Sequence, residues 1–579
     1  MRIDVDLDSL AAGQGPTIRE LVGGSTASDA CLTIVLVGAP RDAATDQRLD
    51  VALLIDRYRR LGSELACGLI GHYAIAVIDG HVPCVYLFSD RMSVHTWAYA
   101  VESRRIRIAP RADTIADDAP LDSQAVFTYL ANHVIPSPDT VFAGVKRLPP
   151  ASRLIFEREG VKVAPHWTPT FGASGRPDFA TLRDEFRSLI EQAVARDSRR
   201  FEGQVGTFLS GGTDSSTVSG MLRRLSGVPV RAYSIGFEAE GYDEIAYARI
   251  AAKHFDLDHR AHYLTPAEVL VAMPRVAASY DQPFGNSSAV AAYQCALVAK
   301  ADGCSALLAG DGGDELFGGN ARYAKQTIFG WYDSVPALVR HALLEPMLDN
   351  AAAARLPLVR KAASYVHQAR VPMPDRLHMY NLLRRLGLRE VLTPNFLAQV
   401  DPEYDLAQQR KVYAETAGAA LIDHMLAYDW RYTLAENDLP KVLGATSIAG
   451  IGTAFPLLSD ELLDFSLRLP ANYKLNGLKL RWFFKEALRG FLPDEVITKK
   501  KQGFGLPFGV WALRDERLAK LAGDALGSFG TRGVMSTPFV KRLRDELLPA
   551  HPGYYGELVW IITMAELWLQ AHRPLWRVR

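Results

Sequence analysis

The sequence predicts a chain of two domains, an α+β unit followed by an α/β unit: a β-rich layered sandwich over residues 1–170 and a doubly wound parallel sheet over 171–579. Three observations predict it. Residues 31–170 carry short apolar runs separated by turn residues. The segment TPTFGASGRPD, 168–178, is rich in Gly, Pro and Ser and reads as a linker. Beyond it strand patterns alternate with helical ones, the order a parallel sheet needs for its crossovers.

In chain order, CLTIVLVGA, HYAIAVID, CVYLFSD and SRLIFER read as strands of the first domain, with Cys31 inside the first of them as a buried core thiol. After the linker comes the helical run TLRDEFRSLIEQAVARDSRR, then the strand VGTFLS and the turn SGGTDSS. STVSGMLRRL (helix), VRAYSIGF (strand), EIAYARIAAKHF (helix), ALVAKADG (helix end) and SALLAG (strand) continue the alternation. Residues 320–435 are mainly helical in pattern, and YYGELVWIITMAELWLQAHRP reads as a largely buried helix at the end.

Bulk properties narrow the function. A chain of 579 residues is too long for one core. Its 65 basic residues balance 65 acidic ones, so no electrostatic footprint for nucleic acid is present. Five cysteines, at 31, 67, 84, 295 and 304, form no CxxC pair, which argues against a disulfide framework or thiolate metal site and fits a reducing cytoplasm. MRIDVDLDSL does not read as a signal peptide, and no run of about 18 apolar residues predicts a membrane span.

Three segments carry chemistry. In SGGTDSS, Ser210, Gly211, Gly212 and Thr213 let backbone N–H groups converge on an anion, and the following helix adds the positive end of its dipole. A pyrophosphate fits such a turn, and Asp214 is placed to hold its Mg²⁺. LLAGDGGDELFGG, 307–319, also follows an apolar strand, and its Asp311, Asp314 and Glu315 crowd like charges that a cation would relieve. Two such loops at neighbouring strand ends predict a shared Mg–ATP site. VITKKKQGFGLPFGVW, 496–511, offers a lysine to neutralise charge in a transition state, against the simpler reading of a solvated basic face.

Together SGGTDSS, SIGF, GYDEIAYARIAAKHF, GDGGDELFGG and KKKQGFGLPFGVW resemble, in order and spacing, the signatures of the asparagine synthetase family. HYAIAVID, FSD and YLANHVIPSPDTVFAGVKRLPPASRLIF are similar to its glutaminase half. The resemblance implies an Ntn-hydrolase-like first domain and a second domain of the adenine nucleotide alpha hydrolase-like, PP-loop kind. It implies ATP and Mg²⁺ as cofactors and AMP-forming activation of a carboxylate for attack by an amine. By position, Ser210, Gly211, Gly212, Asp214 and Ser215 would bind pyrophosphate, and Asp214 and Asp314 the Mg²⁺. Ile235, Gly236, Ala309 and Gly310 would line the adenosine pocket. Lys501 aligns with the catalytic lysine, Asp311 is expected as a base or substrate contact, and Asp281 in YDQPFGNSS as a substrate contact.

The chain departs from the family twice. Glutamine-using members begin Met-Cys, whereas residue 2 here is Arg, and no Asn-Gly-Glu segment is visible, which implies a degenerate glutaminase domain. Within KVLGATSIAGIGTAFPLLS, Leu443, Gly444, Gly452, Ala454 and Ser459 replace charged family positions, which predicts a larger and more apolar pocket than aspartate needs. His254, His259 and His262 lie close in sequence but lack a third ligand type, so no metal site is expected there. Four functions fit: a lasso-peptide macrolactam synthetase with a precursor peptide and maturation protease as partners; an asparagine synthetase or amidotransferase fed by ammonia or a separate glutaminase; a β-lactam or other small-molecule synthetase; and a non-enzymatic scaffold.

Overall fold

The computed structural model describes the chain except residues 21–22, 30, 173–177, 240, 334, 341, 343–345, 347–356, 417–418, 500–504 and 579. The first domain is two antiparallel sheets. One runs Gly160–Pro165, Ser152–Glu157, Cys84–Ser89, Tyr73–Asp79, Leu32–Gly38, Gly24–Asp29. The other runs Val145–Arg147, Ala98–Glu102, Arg105–Ala109, Arg2–Asp6, Thr17–Arg19.

Period-two alternation explains the layering. Val35, Ala74 and Ala76 face the second sheet and pack with Ile3, Val5, Ile106 and Ile108. Ile34, Leu36, Ile75 and Val77 face the other way and pack under the helix Val51–Leu61 through Leu54, Ile55 and Tyr58. A strand covered on both faces has no polar side, which is why YAIAVID is buried from Tyr73 to Ile78. Cys31 is not in a strand: Leu32 begins it, and Cys31 lies half-buried in the turn before, its carbonyl accepting from Gly80 N at 2.7 Å.

The second domain is built on five parallel strands: β1 (Gln204–Phe208), β2 (Arg231–Phe237), β3 (Asp258–Leu264), β4 (Cys304–Leu308) and β5 (Gly452–Ala454). Their spatial order is β3-β2-β1-β4-β5. The chain therefore builds outward from β1 in one direction, then restarts on its other side at β4. That reversal opens a crevice beyond the carboxyl ends of β1 and β4, the place where open α/β sheets bind ligands. Helices α1 (Thr213–Ser226), α2 (Ile245–Phe255) and α3 (Ser288–Ala301) are among the crossovers.

The closing helix, Pro552–His572, is buried along most of its length and ties the domains together. Tyr129 of the first domain donates to Ile561 O at 2.9 Å. Ion pairs Arg41–Glu461 (2.7 Å), Arg91–Asp464 (2.8 Å) and Arg147–Asp281 (2.6 Å) also cross the boundary. Among the described residues no helix is long and apolar enough to cross a membrane.

Candidate active site

The turn after β1 and the turn after β4 touch. Gly211 has φ +71°, and a Cβ there would lie 2.4 Å from the Ala248 nitrogen, so only glycine lets the turn pass α2. A Cβ on Gly310 would lie 2.6 Å from Ser215 N, so the second loop leans on the first turn of α1 through bare backbone. Ser215 Oγ accepts from Ser210 N at 3.1 Å and closes the turn across its base. Gly212 caps α1, leaving the helix's first N–H groups toward the crevice.

The crevice is a chamber of about 1330 Å³. Ser210, Gly212, Asp214, Ser215, Ile235, Gly310, Asp311 and Asp314 all line it, so the sequence-predicted residues come together. Gly211, Gly236 and Ala309 stand behind that wall. Ala309 N donates to Ala454 O at 2.9 Å, and Gly236 packs against Ile245 and Tyr263.

Asp214 and Asp314 converge on a cation supplied by the chain itself. Arg481 donates to Asp214 at 2.9 Å and also to Asp314. Its side chain is only 8% exposed, and its guanidinium lies 4.4 Å over the Phe484 ring. Two carboxylates spaced to share one positive charge, beside the start of α1 where no side chain caps the helix, fit a divalent cation bridging to phosphate. Sequence reasoning missed Arg481, since nothing local in GLKLRWFF marks it.

A second charge cluster lies beside the first. Lys441 Nζ sits 3.0 Å from Asp438 and 3.4 Å from Asp311. Burial pushes the Asp311 carboxyl up, and the Lys441 charge pulls it back. Lys441 is held above its ordinary value: burial lowers it, and Asp438 and Asp311 together raise it more. From the basic run, Lys499 pairs with Glu244 at 3.1 Å and stacks over Tyr247. Lys501 lies outside the described residues.

Two expectations change. Asp281 does not line the chamber: it accepts from Ala112 N at 2.8 Å and pairs with Arg147, both in the first domain, and the charges of Arg147 and Arg111 hold its carboxyl down against burial. Asn286, Ser287 and Ser288 of the same segment do line it. The lost family charges do not enlarge the chamber. The space over Gly444 is filled by the Tyr280 ring and that over Gly452 by Phe201, Ala454 is core, and Ser459 caps the helix Asp460–Arg468. The three histidines part company: His254 faces Phe491 O, His259 faces Ser234 Oγ and His262 faces Glu268. Among the described residues no three or more His, Cys, Asp or Glu side chains gather as a metal site of protein ligands alone would require.

With this geometry in place, the comparisons decide the family. The profile described as Asparagine synthase matches residues 185–570, and one described as Glutamine amidotransferase domain matches 41–167. The chain belongs to the asparagine synthase family. It is therefore an ATP-dependent carbon–nitrogen ligase with an amidotransferase-like first domain. Glutamine-hydrolyzing asparagine synthetase 1 of Bacillus subtilis (strain 168) is 23% identical over 472 residues, covering 80% of this chain and 72% of that one. A putative glutamine-hydrolyzing asparagine synthetase of Mycobacterium tuberculosis (strain ATCC 25618 / H37Rv) is 25% identical over 537 residues, covering 90% and 79%. Amidase chry2 of Gibberella zeae is 21% identical over 502 residues, covering 80% and 73%.

The family's glutaminase nucleophile has no counterpart at position 2. Arg2 opens a strand, and its guanidinium pairs with Asp4 at 3.0 Å and Asp117 at 2.7 Å.

Proposed function

We propose that this asparagine synthase family ligase adenylates a substrate carboxylate and joins it to an amine carried by the same bulky substrate. The substrate class is a peptide, closed into a macrolactam between its N-terminal amine and an Asp or Glu side chain. A precursor peptide and a maturation protease are then its expected partners. The observation that carries this reading is the 1330 Å³ chamber beside the two loops. Small-molecule sites run to about 1000 Å³, so this volume supports a nucleotide together with more than an amino acid.

The residues divide the work. A carboxylate resists nucleophiles, so it must first attack the α-phosphorus of ATP and expel pyrophosphate. The Ser210–Ser215 turn, with the N-terminus of α1, receives that leaving group. Asp214 and Asp314 would hold the Mg²⁺, which neutralises phosphate charge when bound. Ile235, Gly236, Ala309 and Gly310 flank the nucleoside side. Lys501 is assigned the compensation of transition-state charge. Asp311, kept close to Lys441, is the base or substrate contact. AMP is then a good leaving group, and a tethered amine gains a large effective molarity that replaces an ammonia supply.

A second reading, asparagine synthesis from free ammonia, is favoured by the similarity to asparagine synthetases of Bacillus subtilis and Mycobacterium tuberculosis. The test separates them. Purified protein is incubated with Mg–ATP, aspartate and either glutamine or ammonium, and asparagine and AMP are measured. Asparagine from ammonium overturns the cyclase reading. With none from either source, candidate precursor peptides are offered and loss of one water is sought by mass.

A further inference from the structure

Away from the phosphate loops, the chamber wall carries a pair that the ligase chemistry above does not use. His133, from the first domain, and Glu557, from the closing helix, both line the chamber, with His133 Nδ1 3.7 Å from Glu557 Oε1. Neither side chain is lost in the core: His133 is 36% and Glu557 41% exposed, and the chamber is the space they share.

The pair is held by backbone. His133 ends the helix Ser123–Asn132 in the left-handed region, φ 66°, with its N–H on Tyr129 O. Its own carbonyl accepts from Gly285 N at 2.8 Å. A Cβ on Gly285 would lie 2.8 Å from that carbonyl, so the two segments meet only because residue 285 is glycine. Gly285 O in turn accepts from Trp560 Nε1 at 3.0 Å, one turn along the closing helix from Glu557. This lock does not depend on the charge of either side chain.

The wall is also continuous with the reacting end. Asn286, next to Gly285, donates to Asn437 at 2.9 Å, and Asn437 adjoins Asp438, the partner of Lys441 and so a neighbour of Asp311. Along it, Asp311 and Asp438 face Lys441, and Asp214 and Asp314 face Arg481. Glu557 faces His133, and among the described residues no Lys or Arg pairs with it. A carboxylate on a partly shielded wall gains from a cation beside it, and the neighbouring imidazole brings no charge, its pKa lowered to about 4.

We propose that the Glu557 carboxylate, oriented by His133, is the site that receives the ammonium group of the acyl acceptor. The inference rests on the reading that the acceptor amine arrives on the substrate. It assigns the amine end to the wall made by the closing helix and the first domain, and gives that domain a role after its nucleophile is gone: it supplies His133. Burial sets Glu557 at about 7, so an arriving ammonium would find it near its midpoint and shift it toward the ionised form.

The full-length protein is labelled with [5-¹³C]glutamate, and the Glu557 carboxyl resonance is assigned from its loss in Glu557→Gln. Ethylammonium chloride, the probe for a primary amine, is titrated in with a non-hydrolysable Mg–ATP analogue, against sodium chloride of equal ionic strength. The expected result is a saturable shift of that resonance with ethylammonium alone, and a lower titration midpoint in its presence. His133→Ala, which removes the ring 3.7 Å from the carboxylate, should weaken the apparent affinity severalfold. No saturable shift, or the same shift with sodium, overturns the proposal. Thermal melting of both variants separates a lost site from a lost fold. Binding of the ATP analogue, read separately, tests the ligase reading: its failure would sink that reading, whereas a silent Glu557 beside normal nucleotide binding sinks only the amine site.

Discussion

Arg481 donates both of its terminal nitrogens to the carboxylate of Asp214, one of them at 2.9 Å, from a position only 8% exposed. The same guanidinium reaches Asp314, so one internal cation holds together the two acids assigned to Mg²⁺. Removing one partner of a buried ion pair leaves uncompensated charge and costs about 3–5 kcal/mol. Arg481→Ala is expected to lower the melting temperature markedly in metal-free buffer and to regain part of it in millimolar Mg²⁺. The wild type should respond far less to Mg²⁺. A variant whose melting ignores Mg²⁺ would show that Asp214 and Asp314 do not form a cation site.

The Lys441–Asp311 pair predicts a pH effect of known sign. Burial raises the Asp311 carboxyl, and Lys441 at 3.4 Å lowers it, so the lysine keeps it ionised further into acid. Lys441→Gln removes the lowering influence and leaves the raising one. If Asp311 acts ionised, the acidic limb of the activity profile moves to higher pH in Lys441→Gln, with activity at alkaline pH less affected. An acidic limb that stays put would remove Asp311 from the chemistry.

How much of this site could be read in advance follows from where its parts lie in the chain. SGGTDSS and GDGGDELFGG each pack glycine, hydroxyl and carboxylate into one turn, so their chemistry is local and legible. The crevice between them follows from the β3-β2-β1-β4-β5 order, of which alternating strands and helices imply the parallel sheet but not the sequence of strands. Arg481, His133 and Glu557 carry no such signature: each lies on or beside a helix end and reaches the chamber only through tertiary packing. Asp281 was misplaced for the same reason in reverse. Its segment does reach the chamber, through Asn286 to Ser288, but its carboxylate is claimed by Arg147 across a domain boundary that sequence spacing does not reveal.

Two histidines at the domain boundary predict acid sensitivity. Burial lowers His72 to about 3 and His95 to about 4, and His72 Nε2 lies 3.4 Å from Leu458 O of the second domain. A depressed histidine is neutral when folded, whereas the unfolded chain takes the proton near pH 6.5. Their contribution is therefore complete above about pH 6.5 and is lost as pH falls toward 4, by about 1.4 kcal/mol per pH unit for each. Unfolding midpoints in urea should fall from pH 7.5 to pH 5, and His95→Gln should flatten that slope. A slope unchanged in the variant would mean that His95 titrates normally in the folded protein.

Gly444 tests whether this wall has room for any charged side chain. Its missing side chain is not empty space: a Cβ there would lie 2.4 Å from the Tyr280 hydroxyl oxygen. Tyr280 is fixed in turn, stacked on Phe284 at 4.4 Å between ring centroids and donating to Pro440 O at 3.2 Å. Gly444→Asp must displace that ring and bury a carboxylate whose nearby cation, Lys441 one helical turn away, is already paired with Asp438 and Asp311. Overpacking alone costs about 1–3 kcal/mol, and the unpaired charge adds to it. The variant is expected to melt at lower temperature and to gain no activity on aspartate. Gly444→Ala should show most of the packing loss without the charge. An aspartate-active, normally stable Gly444→Asp would mean that Tyr280 yields readily and that this wall, rather than the chamber as a whole, sets the substrate.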